Sequence, residues 1–166
     1  MNKTTVRQTS GQPLWSVAGM VEASPERVAE LLLDVRPGIF MGKDIPLLLS
    51  QSGLPNLNNS VTVSGGPYKF IATWDADPKG VYVIVDREQR SVTLQGHWWY
   101  RGVYRVEPAP QGSRLVFDVY NIAPGLSRWM VPFVARGVRS QQPKTFEGIV
   151  TAIGKELGCA AYPTEL

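Results

Sequence analysis

The order of the secondary-structure signals is the feature that most constrains how this chain folds. A strand-like segment, Trp15–Val21, leads into a Ser24-Pro25-Glu26 helix start. Strand-like segments separated by turn residues fill the middle, from about residue 60 to residue 122, and a long amphipathic pattern follows from about residue 127 to residue 157. This order predicts an α+β domain in which a curved antiparallel sheet wraps around a long C-terminal helix, with two short helices after the first strand.

The first helix has clear start signals. Ser24 is a favourable N-cap, Pro25 suits the first helical position and Glu26 complements the helix dipole. The apolar side chains that follow are spaced as on one helix face, at Val28, Leu31, Leu32 and Val35. Residues 39–57 then carry apolar clusters interrupted by glycine and proline, which is typical of a lid. A second short helix that only closes the core is the alternative interpretation.

Alternation of side chains in the middle of the chain predicts a sheet with one packed and one solvated face. Residues 92–107 have the pattern of one long strand, with bends or bulges at Gly96 and Gly102. One face collects the apolar side chains of Val92, Leu94, Trp98, Tyr100, Tyr104 and Val106. The other face collects polar side chains, among them His97, Arg101 and Arg105.

The last helix is predicted as one extended element. Its apolar stripe begins with Leu126, Met130, Phe133 and Val134 and continues from Phe146 to Leu157. Pro143 lacks the backbone proton that a helix interior needs, which predicts a kink or a division near residues 140–142. Gly158 is a suitable C-terminal cap.

Composition bounds the domain count and the chemistry. A chain of 166 residues, 43% of them apolar and 19% charged, fits one domain, predicted at residues 13–160 with a flexible tail at 1–12 and a C-terminal tail at 161–166. One cysteine, Cys159, and one histidine, His97, exclude a disulfide framework and argue against a metal site, so no metal and no cofactor is expected. Because the sequence has no apolar signal core and no membrane span, a cytoplasmic protein is expected.

The charge distribution says more than the net charge. A formal net charge of +3 is too weak to indicate a nucleic-acid partner, and none is expected. Four cations, Arg128, Arg136, Arg139 and Lys144, lie in a stretch without any acidic residue between Asp118 and Glu147. A solvated helix face is one interpretation, and contact with a phosphate, an anionic headgroup or a membrane surface is the other.

The helix start and the last helix together resemble a known superfamily. The run Val21-Glu22-Ala23-Ser24-Pro25-Glu26-Arg27-Val28, with Phe146-Glu147-Gly148-Ile149 in the last helix, is similar to the START-like (SRPBCC) superfamily of polyketide cyclase/dehydrase and lipid-transport type. This group includes the birch-pollen-allergen proteins, and the likeness spans about residues 14–158. The resemblance implies a helix-grip fold, and it allows either lipid-type ligand binding or cyclase/dehydratase chemistry.

A pocket in such a fold is expected between the apolar face of the sheet and the last helix. Mostly apolar walls with a few polar tips are usual for small-molecule sites. The predicted ligand-binding walls are Phe70, Trp74, Trp98, Tyr100, Tyr104, Phe117, Met130, Phe133 and Val134. The alternative is that these side chains fill the space completely.

Conventional catalytic groups are scarce in the sequence. Tyr100, Tyr104 and His97 are the candidates for proton transfer, although strand alternation places His97 on the solvated face beside Arg101. Asp118 shares that face with Arg101 and Arg105, which predicts an exposed ion pair instead of a catalytic acid.

Three hypotheses follow from these patterns. The first is a protein that binds a hydrophobic or amphipathic small molecule, such as a lipid, an isoprenoid or an aromatic polyketide-like compound. The second is a cyclase/dehydratase-type lyase that acts in the same cavity. The third is a peripheral membrane or protein-interaction module that uses Arg128, Arg136, Arg139 and Lys144. The sequence leaves the oligomeric state open.

Overall fold

The computed structural model describes residues 11–51 and 60–166. Nine strands make up the sheet among these residues: β1 (Trp15–Val21), β2 (Gly38–Phe40), β3 (Val61–Gly65), β4 (Lys69–Trp74), β5 (Asp77–Asp86), β6 (Ser91–Gln95), β7 (Tyr100–Ala109), β8 (Gly112–Asn121) and β9 (Ala161–Thr164). The helices are α1 (Pro25–Leu32), α2 (Leu47–Gln51), α3 (Val131–Val134) and α4 (Arg136–Leu157), with 3-10 turns at Gly42–Asp44 and Gly125–Met130.

The sheet is antiparallel throughout, in the order β2-β3-β4-β5-β6-β7-β8-β1-β9. It curves around α4 in the predicted α+β helix-grip arrangement. The side of the sheet that faces α4 is called the concave face below, and the other side is called the convex face. No helix in the described part of the chain is both long and apolar enough to cross a membrane.

Helix α4 packs closely against β1 of the sheet. A Cβ atom added at Gly19 would lie 2.9 Å from Val150 Cγ2 and 3.3 Å from Phe146 Cε1, so only glycine fits there without movement of the helix. Phe146, Ile149, Val150 and Ile153 are all buried. Their spacing of three and four residues is the apolar stripe that the sequence predicts for this half of the helix.

Helix α1 begins as predicted. Ser24 is its N-cap and accepts a hydrogen bond from the Arg27 backbone N–H at 3.4 Å, and Pro25 occupies the first turn. The helix ends at Leu32, one turn before the predicted last apolar position at Val35. In the predicted lid region, β2 and α2 account for part of residues 39–51, and residues 52–57 lie outside the described residues.

The predicted long strand over residues 92–107 is wrong, because these residues form a hairpin. Strands β6 and β7 pair with Gln95 opposite Arg101, and residues 96–99 connect them. Five residues, 96–100, lie between the paired Gln95 and Arg101, so paired residues differ by an even number and the even-numbered residues of both strands lie on the concave face. Trp98, placed by the sequence pattern inside the strand, sits in the connection and is exposed.

The predicted single last helix is divided, but not at Pro143. A 3-10 turn, α3 and α4 follow one another, and Pro143 lies inside the unbroken α4. Pro132 lies in the first turn of α3, where proline is tolerated. Val131 and Ala135 point inward from this segment. Residues 161–164, predicted as a tail, form β9 against β1.

The convex face carries the ion pair that the sequence predicts between β7 and β8. Arg105 Nη1 lies 2.7 Å from Asp118 Oδ2, and Ser16 Oγ donates to Asp118 Oδ1 at 2.5 Å. Asp118 is only 5% exposed, so the prediction of an exposed ion pair is wrong for the carboxylate. A carboxylate at such depth depends on its two partners, because burial without them is unfavourable.

Replacing Gly19 by Ala tests the contact between α4 and β1. We expect a loss of about 1–3 kcal/mol in the free energy of unfolding, because the added methyl group meets Val150 and the Tyr162 carbonyl oxygen. Gly137→Ala in α4 is the matched control. Its added methyl group meets nothing within 4 Å, so its stability should rise by up to about 1 kcal/mol. Equal effects in urea denaturation would contradict this packing.

Replacing Asp118 by Ala tests the convex-face ion pair. We expect a loss of about 1–3 kcal/mol, because Arg105 can still reach water while Ser16 loses its acceptor. Glu107→Ala is the control, since Glu107 also pairs with Arg105 but at 3.7 Å and on the surface. That substitution should cost about 0–1 kcal/mol. Chemical denaturation of both variants at neutral pH gives the comparison.

Candidate functional site

An aromatic cluster lies at the end of the sheet where β1 begins and β8 ends. The rings of Trp15 and Trp99 are 6.4 Å apart, and Trp99 meets Tyr100 edge-on at 5.5 Å. Trp15 lies opposite Val119, and Tyr100 lies opposite Asn121. We refer to Trp15, Trp99 and Tyr100 as the aromatic cluster.

A stack of three aromatic rings lies between the sheet and α4. Tyr104 of β7 stacks on Phe117 of β8 at 4.0 Å, with an angle of 21° between the rings. Phe117 in turn stacks on Phe146 of α4 at 6.4 Å and 14°. This stack joins the sheet to the helix.

Gly102 connects the stack to the aromatic cluster. A Cβ atom added at Gly102 would lie 2.6 Å from the Tyr100 hydroxyl oxygen and 2.7 Å from Phe117 Cε2. The missing side chain is therefore what lets the Tyr100 hydroxyl lie over the backbone of β7, on the concave face. The sequence indicates Gly102 only as a bend or a bulge.

The two interior phenols are held in the neutral form. Burial raises the pKa of Tyr100 above its ordinary value. Burial also raises the pKa of Tyr104, and the neighbouring Tyr100 raises it further. At neutral pH both hydroxyls therefore keep their protons and can donate hydrogen bonds, but they are poor general bases.

Two tryptophans carry buried donors without an acceptor. The indole Nε1 atoms of Trp15 and Trp74 are buried, and neither has a hydrogen-bond partner among residues 11–51 and 60–166. Nearly all buried donors in proteins are paired, so an unpaired one indicates a position where water or a ligand binds. Trp15 belongs to the aromatic cluster, and the ring that carries this donor meets that of Trp99.

The structure brings together only part of the predicted ligand-binding set. Tyr100, Tyr104 and Phe117 adjoin one another, and Phe70 and Trp74 are buried elsewhere in the fold. The other predicted wall residues are exposed, and these are Trp98, Met130, Phe133 and Val134. Sequence reasoning missed Trp15 and Trp99. The signal for Trp15 was its shared parity with Val17 and Val21.

His97 lies outside the space between the sheet and α4, in the connection between β6 and β7. Its Nε2 atom is 3.0 Å from the Lys79 carbonyl oxygen and 3.1 Å from the Gly80 carbonyl oxygen. Both are acceptors, so Nε2 carries the proton and donates. The ring also lies 5.2 Å from that of Tyr82. These contacts give His97 a structural role in holding the connection against β5.

Other polar features do not converge on the aromatic cluster. In residues 11–51 and 60–166, no group of three or more His, Cys, Asp or Glu side chains could hold a metal ion. Two open recesses of about 540 and 530 Å³ lie along α4. Lys155 and Thr151 line both, and none of the predicted wall residues lines either.

Comparisons with known proteins give only weak similarities. No family model matches the sequence, and no curated protein matches it. Among solved structures, TTHA0849 from Thermus thermophilus is similar at 15% identity and a TM-score of 0.43, over 85% of this chain and 95% of that chain. Ara h 8.0201 is similar at 15% identity and a TM-score of 0.35, over 84% and 97%. At these values neither likeness assigns a family or a function.

The raised pKa values of the interior phenols predict how stability depends on pH. Above about pH 10 the unfolded chain loses tyrosine protons that the folded chain keeps, so stability should fall as pH rises, by up to about 1.4 kcal/mol per pH unit for each phenol. In the Tyr100→Phe/Tyr104→Phe variant this fall should be shallower. Tyr68→Phe, at a site that is 65% exposed, should keep the wild-type slope. Identical slopes in all three proteins would contradict the buried phenols.

Proposed function

We propose that this protein binds a hydrophobic or amphipathic small molecule on the concave face, between the sheet and α4. The apolar part of the ligand would lie against the aromatic cluster. Its oxygen atom would accept hydrogen bonds from Trp15 Nε1 and the Tyr100 hydroxyl. A lipid, an isoprenoid and an aromatic or polyketide-like compound all have this chemistry.

The unpaired Nε1 donor of Trp15 is the observation that carries the proposal. It belongs to a ring that packs beside Trp99, and it has no acceptor in the part of the chain that the structure describes. A buried polar group left unpaired costs about 1–3 kcal/mol, and a ligand carbonyl or hydroxyl oxygen would remove that cost. Apolar rings around one or two fixed donors are the usual composition of a small-molecule site.

The fold supports the same conclusion at the level of the family. The Ser24-Pro25-Glu26 helix start and the grip of the sheet around α4 support membership of the START-like superfamily. Membership of this superfamily is part of the proposal. The ligand is argued separately from the site, because fold alone does not determine function.

Binding is favoured over the lyase hypothesis by the chemistry of the interior. A cyclase or dehydratase needs a group that can accept a proton near neutral pH. Tyr100 and Tyr104 are kept protonated by burial, His97 donates to backbone carbonyls in an outer connection, and Asp118 is bound to Arg105 on the convex face. Neutral donors of this kind suit the recognition of an oxygen atom.

Displacement of a fluorescent probe tests the proposal. The purified protein would be loaded with anilinonaphthalene sulfonate, then titrated with oleyl alcohol as a lipid, farnesol as an isoprenoid and naphthol as an aromatic compound. We expect at least one of the three to displace the probe, with a rise in the thermal unfolding temperature. If none displaces the probe and none stabilises the fold, the proposal fails.

Two conservative substitutions locate the ligand. Trp15→Phe and Tyr100→Phe keep a ring but remove a donor, so each should weaken binding of the displacing ligand by about three- to tenfold. Tyr68→Phe removes an exposed hydroxyl and should bind as the wild type does. Wild-type affinity in both interior variants would place the ligand elsewhere.

A further inference from the structure

Residues 125–144 present an apolar surface to solvent beside the aromatic cluster. The exposed side chains are Leu126, Trp129, Met130, Phe133, Val134 and Val138. They recur every three or four residues, which is the spacing of one helix face. Trp129 is 65% exposed and Phe133 is 62% exposed, values that are unusual for such large apolar side chains. We call these six residues the apolar stripe.

The segment is held in place by contacts on its opposite side. Val131, Ala135 and Ala123 form a small buried cluster that packs against Trp15 and Trp99. Asn121 Nδ2 also donates to the Arg128 carbonyl oxygen at 3.0 Å. The apolar stripe is therefore the outer side of a folded element whose inner side supports the aromatic cluster.

Cations flank the apolar stripe. Arg128, Arg136, Arg139 and Lys144 are exposed, and no ion pair within residues 11–51 and 60–166 engages them. The Arg136 guanidinium lies over the Phe133 ring, 5.6 Å from its centre. Large apolar side chains bordered by unpaired cations match the layered chemistry of a bilayer surface, where anionic headgroups lie above hydrocarbon.

We infer that the apolar stripe and its four flanking cations form a docking surface for anionic lipid bilayers. Trp129 and Phe133 enter the headgroup region, and the arginines contact lipid phosphates and carboxylates. A second copy of this chain is a poor occupant, because a symmetric contact would bring the two sets of cations together. The inference does not depend on the proposed ligand, although docking here would bring the aromatic cluster to the membrane.

Vesicle co-sedimentation tests the docking surface. The full chain would be mixed with phosphatidylcholine vesicles, and with vesicles of equal parts phosphatidylcholine and phosphatidylserine. We expect it to pellet with the anionic vesicles and to be released by high salt. Arg136→Gln and Arg139→Gln should each weaken the partition about fivefold. The Trp129→Glu/Phe133→Glu variant should weaken it by at least about tenfold.

Matched controls separate docking from general charge and hydrophobicity. Tyr68→Glu changes a side chain that is also 65% exposed, at the β3–β4 turn, and Arg87→Gln removes an exposed cation at the β5–β6 turn. Both should pellet as the wild type does. Trp129→Phe should pellet but show weaker quenching of tryptophan fluorescence by brominated lipid than the wild type. All these positions are exposed, and thermal unfolding verifies that each variant folds.

Several results would overturn the inference. The first is a wild-type chain that stays in the supernatant with anionic vesicles, and the second is equal pelleting of the wild type and the Trp129→Glu/Phe133→Glu variant. Displacement by inorganic phosphate, at an ionic strength matched with chloride, would indicate a single-anion site. A lipid-free dimer that Trp129→Glu dissociates would assign the surface to a second copy.

Tyr100→Phe should not change pelleting, so failure of the ligand proposal stays distinct from failure of this one.

Discussion

The close approach of α4 to β1 is the contact on which the rest of the fold depends. At Gly19 the strand offers no side chain, so Phe146 and Val150 reach the backbone of the sheet. That approach sets the depth at which Phe146 meets Phe117, and Phe117 in turn holds Tyr104. A larger residue at Gly19 would meet Val150, Phe146 and the Tyr162 carbonyl oxygen, so at least one of these neighbours would have to shift. The missing side chain at Gly19 is therefore a condition for this contact.

The two faces of the sheet carry different chemistry. On the convex face Arg105 and Asp118 form an ion pair, and Ser16 donates a hydrogen bond to the Asp118 carboxylate. On the concave face the polar atoms of Tyr100, Tyr104 and Trp15 are neutral donors among apolar rings. Neutral donors can be buried at moderate cost, whereas an unpaired charge cannot. The concave face is thus suited to an uncharged oxygen acceptor, which is the basis of the ligand proposal.

Local sequence signals predicted the individual helices and strands better than they predicted how these elements pack against one another. The Ser24 cap, the buried stripe from Phe146 to Ile153 and the Arg105–Asp118 pair all follow from short-range rules. The β6–β7 hairpin escaped prediction because its paired residues, such as Gln95 and Arg101, differ by an even number, which leaves the same alternation as one continuous strand. In residues 125–138 apolar side chains recur on two adjacent helix faces. No local signal decides that Val131 and Ala135 face inward instead of Met130 and Phe133. The unpaired Trp15 donor depends on tertiary packing, which no spacing pattern encodes.

The position of strand β9 in the sheet affects how the chain folds during its synthesis. It pairs with β1, with Ala18 opposite Thr164, and β1 pairs on its other side with β8. Both neighbours of this early strand are thus synthesised long after it, and contacts so distant in sequence slow folding. Until the ribosome reaches β9, one edge of β1 has no strand to pair with, and unpaired edges favour association between chains. A nascent chain of this protein should therefore be a substrate for chaperones that shield extended segments.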